Sequence, residues 1–341
     1  MSNLVYVAVV VAFGTSLLLT FAMFRMALAH GLLDVPNERS SHKVPTPRGG
    51  GAAIVVACTG VLTLFVSLHS VTPELGLALI GGGLTVAAIG FIDDRRSVRA
   101  LVRLCVHLGA ALWALAWIGG MKVLQVGSDA LQLGWGGYLL GTLVIVWVLN
   151  LFNFMDGIDG IAASEALFIV GAGVALTATQ GGPLDVVAAG LAFGAACAGF
   201  LLWNWPPAKI FMGDVGSGYL GYTIAVLAIA SGAQHPAQVW VWFILGGVFF
   251  VDATVTLVRR VFRGEPVYVA HRSHGYQWLA RRWGSHKRVT VTVMMVNLVW
   301  LLPCAICADL EPEYGAWITV LAFAPLVLAA WAVGSGRSEA P

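Results

Sequence analysis

Eleven apolar runs divide this sequence of 341 residues, and each is long enough to cross a membrane as a helix. About 17–25 predominantly apolar residues span the hydrocarbon core of a bilayer. Hydrophobic residues make up 59% of the chain and charged residues only 11%, which leaves too little polar surface for a soluble domain. The sequence therefore predicts an all-α, polytopic membrane protein with about 11 transmembrane helices in one domain over 1–341. The runs lie near 4–24, 51–69, 75–92, 100–118, 137–153, 161–178, 184–204, 215–231, 238–258, 289–308 and 316–334.

The basic residues indicate how these helices are oriented. When the N-terminus is placed outside and the runs alternate, 18 of the 19 Lys and Arg residues lie on the cytoplasmic side and only Lys122 lies outside. Positive residues accumulate in the cytoplasmic loops of membrane proteins. We therefore expect a periplasmic N-terminus, a cytoplasmic C-terminus and an active site on the cytoplasmic face. The first run is expected to be a retained helix, because no positive charge precedes it and it is too long for a signal-peptide core.

The stretch at 153–160 (N-F-M-D-G-I-D-G) combines an amide, two carboxylates and two glycines between two of the runs. Asp156 and Asp159 are three residues apart, so on a helical turn they would share one face. The glycines allow a backbone to come close to a ligand. The stretch thus indicates a binding site, but Asp156 as an N-cap, with Asp159 in the first turn of the next helix, explains the same residues.

The first cytoplasmic loop, 34–51, contains three prolines and three glycines, which predict a fixed, extended conformation. Its cations are suited to presenting charge to phosphates, and a patch for anionic lipids is the alternative. These cations are Arg39, His42, Lys43 and Arg48.

Further carboxylates lie at the same membrane face. Asp93 and Asp94 end the third run, where the helix dipole disfavours negative charge and a divalent cation would relieve it; a solvated pair of loop carboxylates is the alternative. Asp214 follows Phe211 and precedes a glycine-rich helix start, which suits a Mg²⁺ ligand or an N-cap. Asp252 and Glu165 lie within apolar runs; such acids are functional candidates, although either could simply hold helices together.

The largest basic segment, 259–288, contains H-R-S-H-G-Y-Q at 271–277. His271, Arg272 and His274 supply donors suited to phosphate oxygens. Zinc binding by the two histidines has no third ligand nearby to support it. At the outer face, the loop 119–136 alternates loosely around a Gly-Ser-Asp turn and predicts a small hairpin. The C-x-x-C at 304–307 is interpreted as two ordinary helix residues.

Carboxylates and cations at one membrane face are the groups that Mg²⁺-assisted phosphoryl transfer requires. These motifs resemble, in order, those of the polyprenyl-phosphate N-acetylhexosamine-1-phosphate transferases, glycosyltransferase family 4. That family includes phospho-N-acetylmuramoyl-pentapeptide transferase and the WecA-type initiators of O-antigen and teichoic acid. The resemblance extends from R-S-S-H-K-V-P-T-P-R-G-G-G to H-R-S-H-G-Y-Q and covers nearly the whole chain.

The resemblance implies a multi-pass protein of the bacterial inner membrane that uses Mg²⁺, with Mn²⁺ as an alternative. Its substrates would be undecaprenyl phosphate and a UDP-N-acetylhexosamine. The lipid phosphate would attack the β-phosphate and release UMP, either directly or through a phospho-aspartate. A homodimer is a candidate assembly, and no nucleic-acid partner is expected.

Carried over to this sequence, the resemblance divides the motif residues among three roles. The catalytic residues would be Asp93, Asp94 and Asp159, and the metal ligands Asp214 and Asp94. The substrate-binding residues would be Lys43, Arg48, Asn153, Asp156, Phe211 (stacking on the uridine), His271, Arg272 and His274.

The last motif selects among branches of the family. The form H-R-S-H-x-Y-Q is similar to that of the WbpL-type subgroup, which starts O-antigen on 6-deoxy or otherwise modified N-acetylhexosamines. We therefore expect a sugar such as N-acetylfucosamine or N-acetylquinovosamine, with N-acetylglucosamine as the alternative.

Two other classes explain parts of the pattern. A CDP-alcohol phosphotransferase has a D-G motif at a membrane face, but it requires an arginine that does not follow Asp156-Gly157 here. A secondary transporter would place its acids near the middle of the membrane and show repeated halves. Here most acids lie at the cytoplasmic ends of the runs.

Overall fold

The computed structural model describes residues 3–31, 33–36, 44–265 and 271–338. The structure is a bundle of helices with two small hairpins. In chain order its elements are α1 (Asn3–His30), β1 (Leu33–Asp34), β2 (Thr46–Pro47), α2 (Gly51–Ser67), α3 (Pro73–Leu77), a π-helical turn (Ala78–Gly82), α4 (Gly83–Arg95), α5 (Ala100–Ile118), β3 (Val123–Val126), β4 (Asp129–Gln132), α6 (Gly136–Met155), α7 (Ile161–Thr179), α8 (Leu184–Asn204), α9 (Asp214–Ser231), α10 (Gln238–Leu245), α11 (Gly247–Phe262), α12 (Gly275–Trp283), α13 (His286–Val296), a second π-helical turn (Asn297–Leu301), α14 (Leu302–Leu310), a 3₁₀ turn (Pro312–Tyr314) and α15 (Gly315–Val333).

All eleven apolar runs lie in helices, which confirms a mostly helical, multi-pass membrane protein. Within the described ranges, eight helices are continuous, long and apolar enough to cross a membrane. The run 238–258 is not one straight span, because α10 and α11 meet at an angle of 71°. Gly246 and Gly247 form this break, in keeping with the occurrence of sharp kinks at small residues. With the bent pair counted as one span the number is nine, so the count of eleven and the orientation stay predictions.

Helix α9 forms the centre of the bundle. It is buried along nearly its whole length and packs against α2, α4, α6 and α7. Close approach of α4 depends on Gly90, because a Cβ atom there would overlap the backbone carbonyl of Asp214. This contact brings the aspartates at the end of α4 beside the start of α9.

The outer hairpin is confirmed. Strands β3 and β4 pair antiparallel from Val123–Gln132 to Val126–Asp129, with Gly127 in the turn at a φ of +65°. The indole of Trp240 on α10 donates to the backbone carbonyl of Gln125 at 2.6 Å. The hairpin lies before the start of α6, whereas the stretch 153–160 begins in the last turn of this helix.

The first cytoplasmic loop is extended where the structure describes it. β1 pairs with β2, and the amides of Gly49 and Gly50 donate to the carbonyl of Phe211 at 3.1 and 2.9 Å. The amide of Phe211 donates in turn to the carbonyl of Pro47 at 2.8 Å. Residues 47–50 at the end of this loop are therefore fixed against the segment that leads into α9. Arg39, His42 and Lys43 lie outside the described residues.

Candidate active site

The stretch 153–160 turns the chain between α6 and α7. Asp156 follows the last residue of α6, and Gly160, with a φ of +73°, holds the position before α7. Gly160 therefore occupies the cap position of α7, and the alternative that Asp156 is its N-cap is wrong. Asn204 fixes the turn from the end of α8, because its side chain accepts from the Gly160 amide and donates to the Ile210 carbonyl, both at 3.0 Å.

A cavity of about 210 Å³ opens beside this turn. It brings together six of the residues predicted from the sequence, namely Arg48, Asn153, Asp156, Asp159, Phe211 and Asp214. It is also lined by residues to which sequence reasoning assigned no role, several of them inside the motifs themselves. These are Asp34, Asn204, Ser217, Gln277 and His286.

Arginines neutralise the carboxylates at one end of the cavity. Nη2 of Arg48 lies 2.9 Å from carboxylate oxygens of both Asp94 and Asp214. Arg103 on α5 pairs with Asp93, and its Nη1 lies 3.7 Å from the second oxygen of Asp214. Sequence reasoning used Arg103 only as a topological charge, because its contact with Asp93 depends on how α4 and α5 pack.

Asp94 caps a helix distant from it in sequence. Its two oxygens accept from the amides of Asp214 and Val215 at 2.9 and 3.1 Å. These amides lack intrahelical partners, and the positive end of the α9 dipole favours a carboxylate there. Asp214 is thus the first residue of α9 rather than its cap, and its carboxylate lines the cavity.

The carboxylates of Asp214 and Asp156 lie close to other negative charges and are partly buried. Burial raises the pKa of Asp214 to about 6, against the opposing effect of Arg48. Burial, reinforced by the charge of Asp214, raises the pKa of Asp156 well above its ordinary value. A further cation in the cavity would therefore be favourable.

The donor set fits Mg²⁺ held partly by a substrate. Mg²⁺ is commonly bound by one or two carboxylates together with phosphate oxygens and waters. Asp214 and Asp156 both line the cavity, and the oxygens of Asp94 reach the same cluster. Among the described residues no group of three or more His, Cys, Asp or Glu side chains is arranged as a complete metal site.

A second cavity of about 730 Å³ adjoins the first and shares Asp159, Phe211 and His286 with it. Nδ1 of His286 lies 3.1 Å from one carboxylate oxygen of Asp159, and the other accepts from the Ala208 amide at 3.1 Å. Lys287 and Arg281 also line this cavity. The two cavities together form a cleft that is polar around Asp156 and Asp214 and has basic side chains at its wider end.

The segment 271–274 does not form part of the cleft walls. Of the described residues that line the two cavities, none is His271, Arg272 or His274. His274 is buried and stacks on His271 and Tyr276. Burial lowers the pKa of His274 and lowers that of His271 to about 3, so both imidazoles are neutral at pH 7. Their assignment to phosphate binding stays a prediction.

An apolar groove of about 620 Å³ leads away from the carboxylates along α4, α5 and α6. Asp93, Arg103, Asn153 and Asp214 lie at its polar end. Its remaining walls are mainly aliphatic and aromatic side chains, including Leu104, Leu108, Leu143 and Trp147. The site thus joins a polar cleft to an apolar groove through one cluster of carboxylates and arginines.

Comparison with known proteins agrees with this arrangement. A model of glycosyl transferase family 4 matches residues 76–232, which include Asp93, Asp94, the stretch 153–160 and Asp214. The chain is 30% identical to the "Probable undecaprenyl-phosphate N-acetylglucosaminyl 1-phosphate transferase" of Bacillus subtilis, over 87% of this chain and 83% of that protein. It is 31% identical to the "Decaprenyl-phosphate N-acetylglucosaminephosphotransferase" of Mycobacterium tuberculosis, over 78% of this chain and 73% of the relative.

A third relative is the "Phospho-N-acetylmuramoyl-pentapeptide-transferase" of Mycobacterium sp. strain KMS, which is 29% identical over 93% of this chain and 99% of its own length. The similarity therefore extends well beyond the central motifs. Because identity of 30% is maintained over most of both chains, this protein belongs to glycosyl transferase family 4.

Proposed function

We propose that this enzyme transfers a sugar 1-phosphate from a UDP-N-acetylhexosamine to undecaprenyl phosphate, giving undecaprenyl-diphospho-sugar and UMP. The observation that carries the proposal is the position of the carboxylate–arginine cluster, between a polar cleft and an apolar groove. A soluble nucleotide sugar suits the cleft and a lipid phosphate suits the groove. The relatives' names, each of which specifies a phosphotransferase or transferase, support the same reaction class.

In this reaction an oxygen of the lipid phosphate bonds to the β-phosphorus of the nucleotide sugar. The bond from that phosphorus to the bridging oxygen breaks, and UMP leaves with the electron pair. Arg103, at the groove end, is placed to hold the lipid phosphate, with Asp93 keeping the guanidinium oriented. Arg48, in the cleft, is placed to stabilise the charge that develops on the leaving phosphate.

Asp214 would hold Mg²⁺, or Mn²⁺ in its place, with Asp94 beside it. The ion would neutralise charge on the diphosphate. Asn153, Asp156 and Phe211 would hold the uridine, with the Phe211 ring as a stacking surface, and Asp159 would line the diphosphate and sugar region. These assignments follow the family resemblance and agree with the positions of the side chains around the cleft.

A more specific proposal concerns which N-acetylhexosamine the enzyme transfers. The H-R-S-H-G-Y-Q segment supports a 6-deoxy N-acetylhexosamine such as N-acetylfucosamine or N-acetylquinovosamine, and hence the first membrane step of O-antigen or another surface polysaccharide. The names of the Bacillus and M. tuberculosis relatives instead favour N-acetylglucosamine. The enzyme would act in the bacterial inner membrane with its site facing the cytoplasm, as a monomer or a homodimer.

Release of UMP by the purified protein in detergent tests the proposal. The reaction would contain undecaprenyl phosphate, Mg²⁺ and each of a panel of UDP-N-acetylhexosamines. We expect UMP only when both lipid and metal are present, and the best sugar identifies the branch. Asp214→Asn is expected to abolish release, whereas Asp309→Asn, at the opposite end of the helices, should retain it. No UMP with any sugar from folded protein would contradict the proposal and favour a transporter.

A further inference from the structure

Asp252 is a buried carboxylate inside the membrane helices, and both of its oxygens accept hydrogen bonds. It lies on α11 and is 7% exposed. One of its oxygens accepts from the Gly275 amide at 2.7 Å and from the Ser335 hydroxyl at 2.8 Å. The other accepts from the Tyr276 amide at 3.0 Å. Three donors from two other elements thus converge on a single side chain.

Two of these donors belong to the first turn of α12. Amides at a helix start have no partner within the helix, and a carboxylate there is further favoured by the helix dipole. Asp252 therefore fixes both the position and the direction of α12. Little space remains for another arrangement, because a Cβ atom on Gly275 would overlap the Ser335 hydroxyl.

Helix α12 in turn touches the turn that carries the candidate catalytic residues. The hydroxyl of Tyr276 donates to the Phe154 carbonyl at 3.0 Å, two residues before Asp156. The next residue, Gln277, lines the first cavity, and Arg281, one turn later, lines the second. A displacement of α12 would therefore move walls of both cavities.

The segment after α15 is attached to the same point. Besides the Ser335 hydroxyl, the Ser335 carbonyl accepts from Nη1 of Arg259 at 2.8 Å. The Gly336 amide donates to the carbonyl of Ser273 at 2.6 Å. The segment after α15 thus contacts both α11 and the segment 271–274.

We propose that Asp252 is a positioning residue for the nucleotide-sugar cleft, and that the hydrogen bond from Ser335 holds the Asp252 carboxylate in place against α12. Asp252 itself lines neither cavity of the cleft; it acts through the first turn of α12, which sets Gln277 and Arg281 in the cavity walls. The consequence for substrate rests on the proposed function, whereas the anchoring of α12 does not.

Amide hydrogen exchange in Asp252→Asn tests the anchoring without reference to activity. Asparagine offers one acceptor oxygen in place of two, and its amide group cannot accept from the second N–H. We expect exchange in peptides covering 271–283 to accelerate about tenfold or more, the equivalent of one hydrogen bond to a charged group. Ser335→Ala should accelerate the same peptides less. Asp309→Asn is the matched control, because Asp309 is also a buried acceptor of side-chain amides, from Gln238 and Gln180.

Kinetics of UMP release then tests the consequence. In Asp252→Asn we expect the KM for the nucleotide sugar to rise about tenfold, with the KM for undecaprenyl phosphate unchanged, as loss of cleft geometry alone requires. Unchanged exchange over 271–283 would overturn the anchoring role, and equal increases in both KM values would overturn the assignment to the cleft. If exchange accelerates while even the unmodified protein releases no UMP, the proposed function fails and the anchoring stands.

Discussion

Arg48 balances the charge of the carboxylate cluster at the level of a single residue. One nitrogen reaches both Asp94 and Asp214 at 2.9 Å, and the two carboxylates hold the pKa of the guanidinium above its usual value despite burial. In Arg48→Lys the charge stays but the side chain ends one bond earlier and cannot reach both partners. We expect kcat for UMP release to fall about 100-fold, the usual cost of losing one fixed donor.

The matched control for Arg48→Lys is Arg95→Lys. The Arg95 guanidinium stacks on Phe91 at 4.1 Å and forms no ion pair with a described carboxylate. Its substitution should leave kcat within about twofold, since an exposed cation contributes little. Equal losses in the two variants would contradict a specific role for the geometry of the Arg48 guanidinium.

Gly157 tests how tightly α12 fits against the catalytic turn. A Cβ atom at this position would overlap the hydroxyl of Tyr276. We expect Gly157→Ala to lower thermal stability, since overpacking costs about 1–3 kcal/mol, and to reduce UMP release. Adding Tyr276→Phe removes the overlapping atom and should restore part of both losses.

Gly171→Ala is the control for that substitution, because beyond the adjacent backbone of α7 no heavy atom lies within 4 Å of the added Cβ. It should hold or raise the melting temperature, since alanine favours the helix by up to about 1 kcal/mol. A double variant as impaired as Gly157→Ala alone would contradict the assigned contact.

The sequence predicted the site residues that lie in short motifs, but not the contacts that depend on how the helices pack. Asp156 and Asp214 could be predicted as members of a site because each lies in a short motif at the end of an apolar run. That Asp94 would cap α9 could not, because the contact joins residues 120 positions apart. His286 was missed for the same reason, since it is an ordinary basic residue until the packing of helices brings it to Asp159. Arg103 is only ten residues from Asp93 but lies on the next helix, so its contact also depends on how α4 and α5 pack.

At the scale of elements, the groove bounded by α4, α5 and α6 makes a separate prediction about the lipid. Leu108 is part of its wall, remote from the polar cleft. We expect Leu108→Trp to fill the groove and raise the KM for undecaprenyl phosphate about tenfold, from a steric cost of about 1–3 kcal/mol. The KM for the nucleotide sugar should not change.

Leu139→Trp is the comparison for Leu108→Trp. Leu139 lies on α6, which forms part of the groove wall, but Leu139 itself is 65% exposed. It should alter neither KM. A rise in the nucleotide-sugar KM for Leu108→Trp would contradict the assignment of the groove to the lipid.

Apolar length predicted the positions of the helices but not their shapes. The run 238–258 is long enough to cross once, yet it breaks by 71° at Gly246. A hydropathy pattern contains no direction, so a change of direction within a run is invisible to it. Hydropathy also does not show which helix is central. Helix α9 is surrounded by other helices, and its tyrosines and serines are tolerated because they face protein.

At the scale of the whole molecule, the arrangement separates the two ends of the bundle. The cleft, its arginines and α12 lie at one end, and the β3–β4 hairpin with Lys122 lies beyond the other end of α6. The predicted orientation places the first end in the cytoplasm, where nucleotide sugars occur, and the hairpin outside. If the orientation were reversed, the cleft would face away from its proposed substrate.

Cysteine accessibility decides this orientation. In a cysteine-free background, Ser128→Cys lies in the hairpin turn and Arg282→Cys on the exposed side of α12. We expect a membrane-impermeant maleimide to label Ser128→Cys in intact cells and to label Arg282→Cys only after the inner membrane is permeabilised. Both variants substitute exposed residues outside the cavity walls, so UMP release reports whether each is still folded. The opposite labelling pattern would place the carboxylate cluster outside the cell and rule out a cytoplasmic UDP-sugar as the donor.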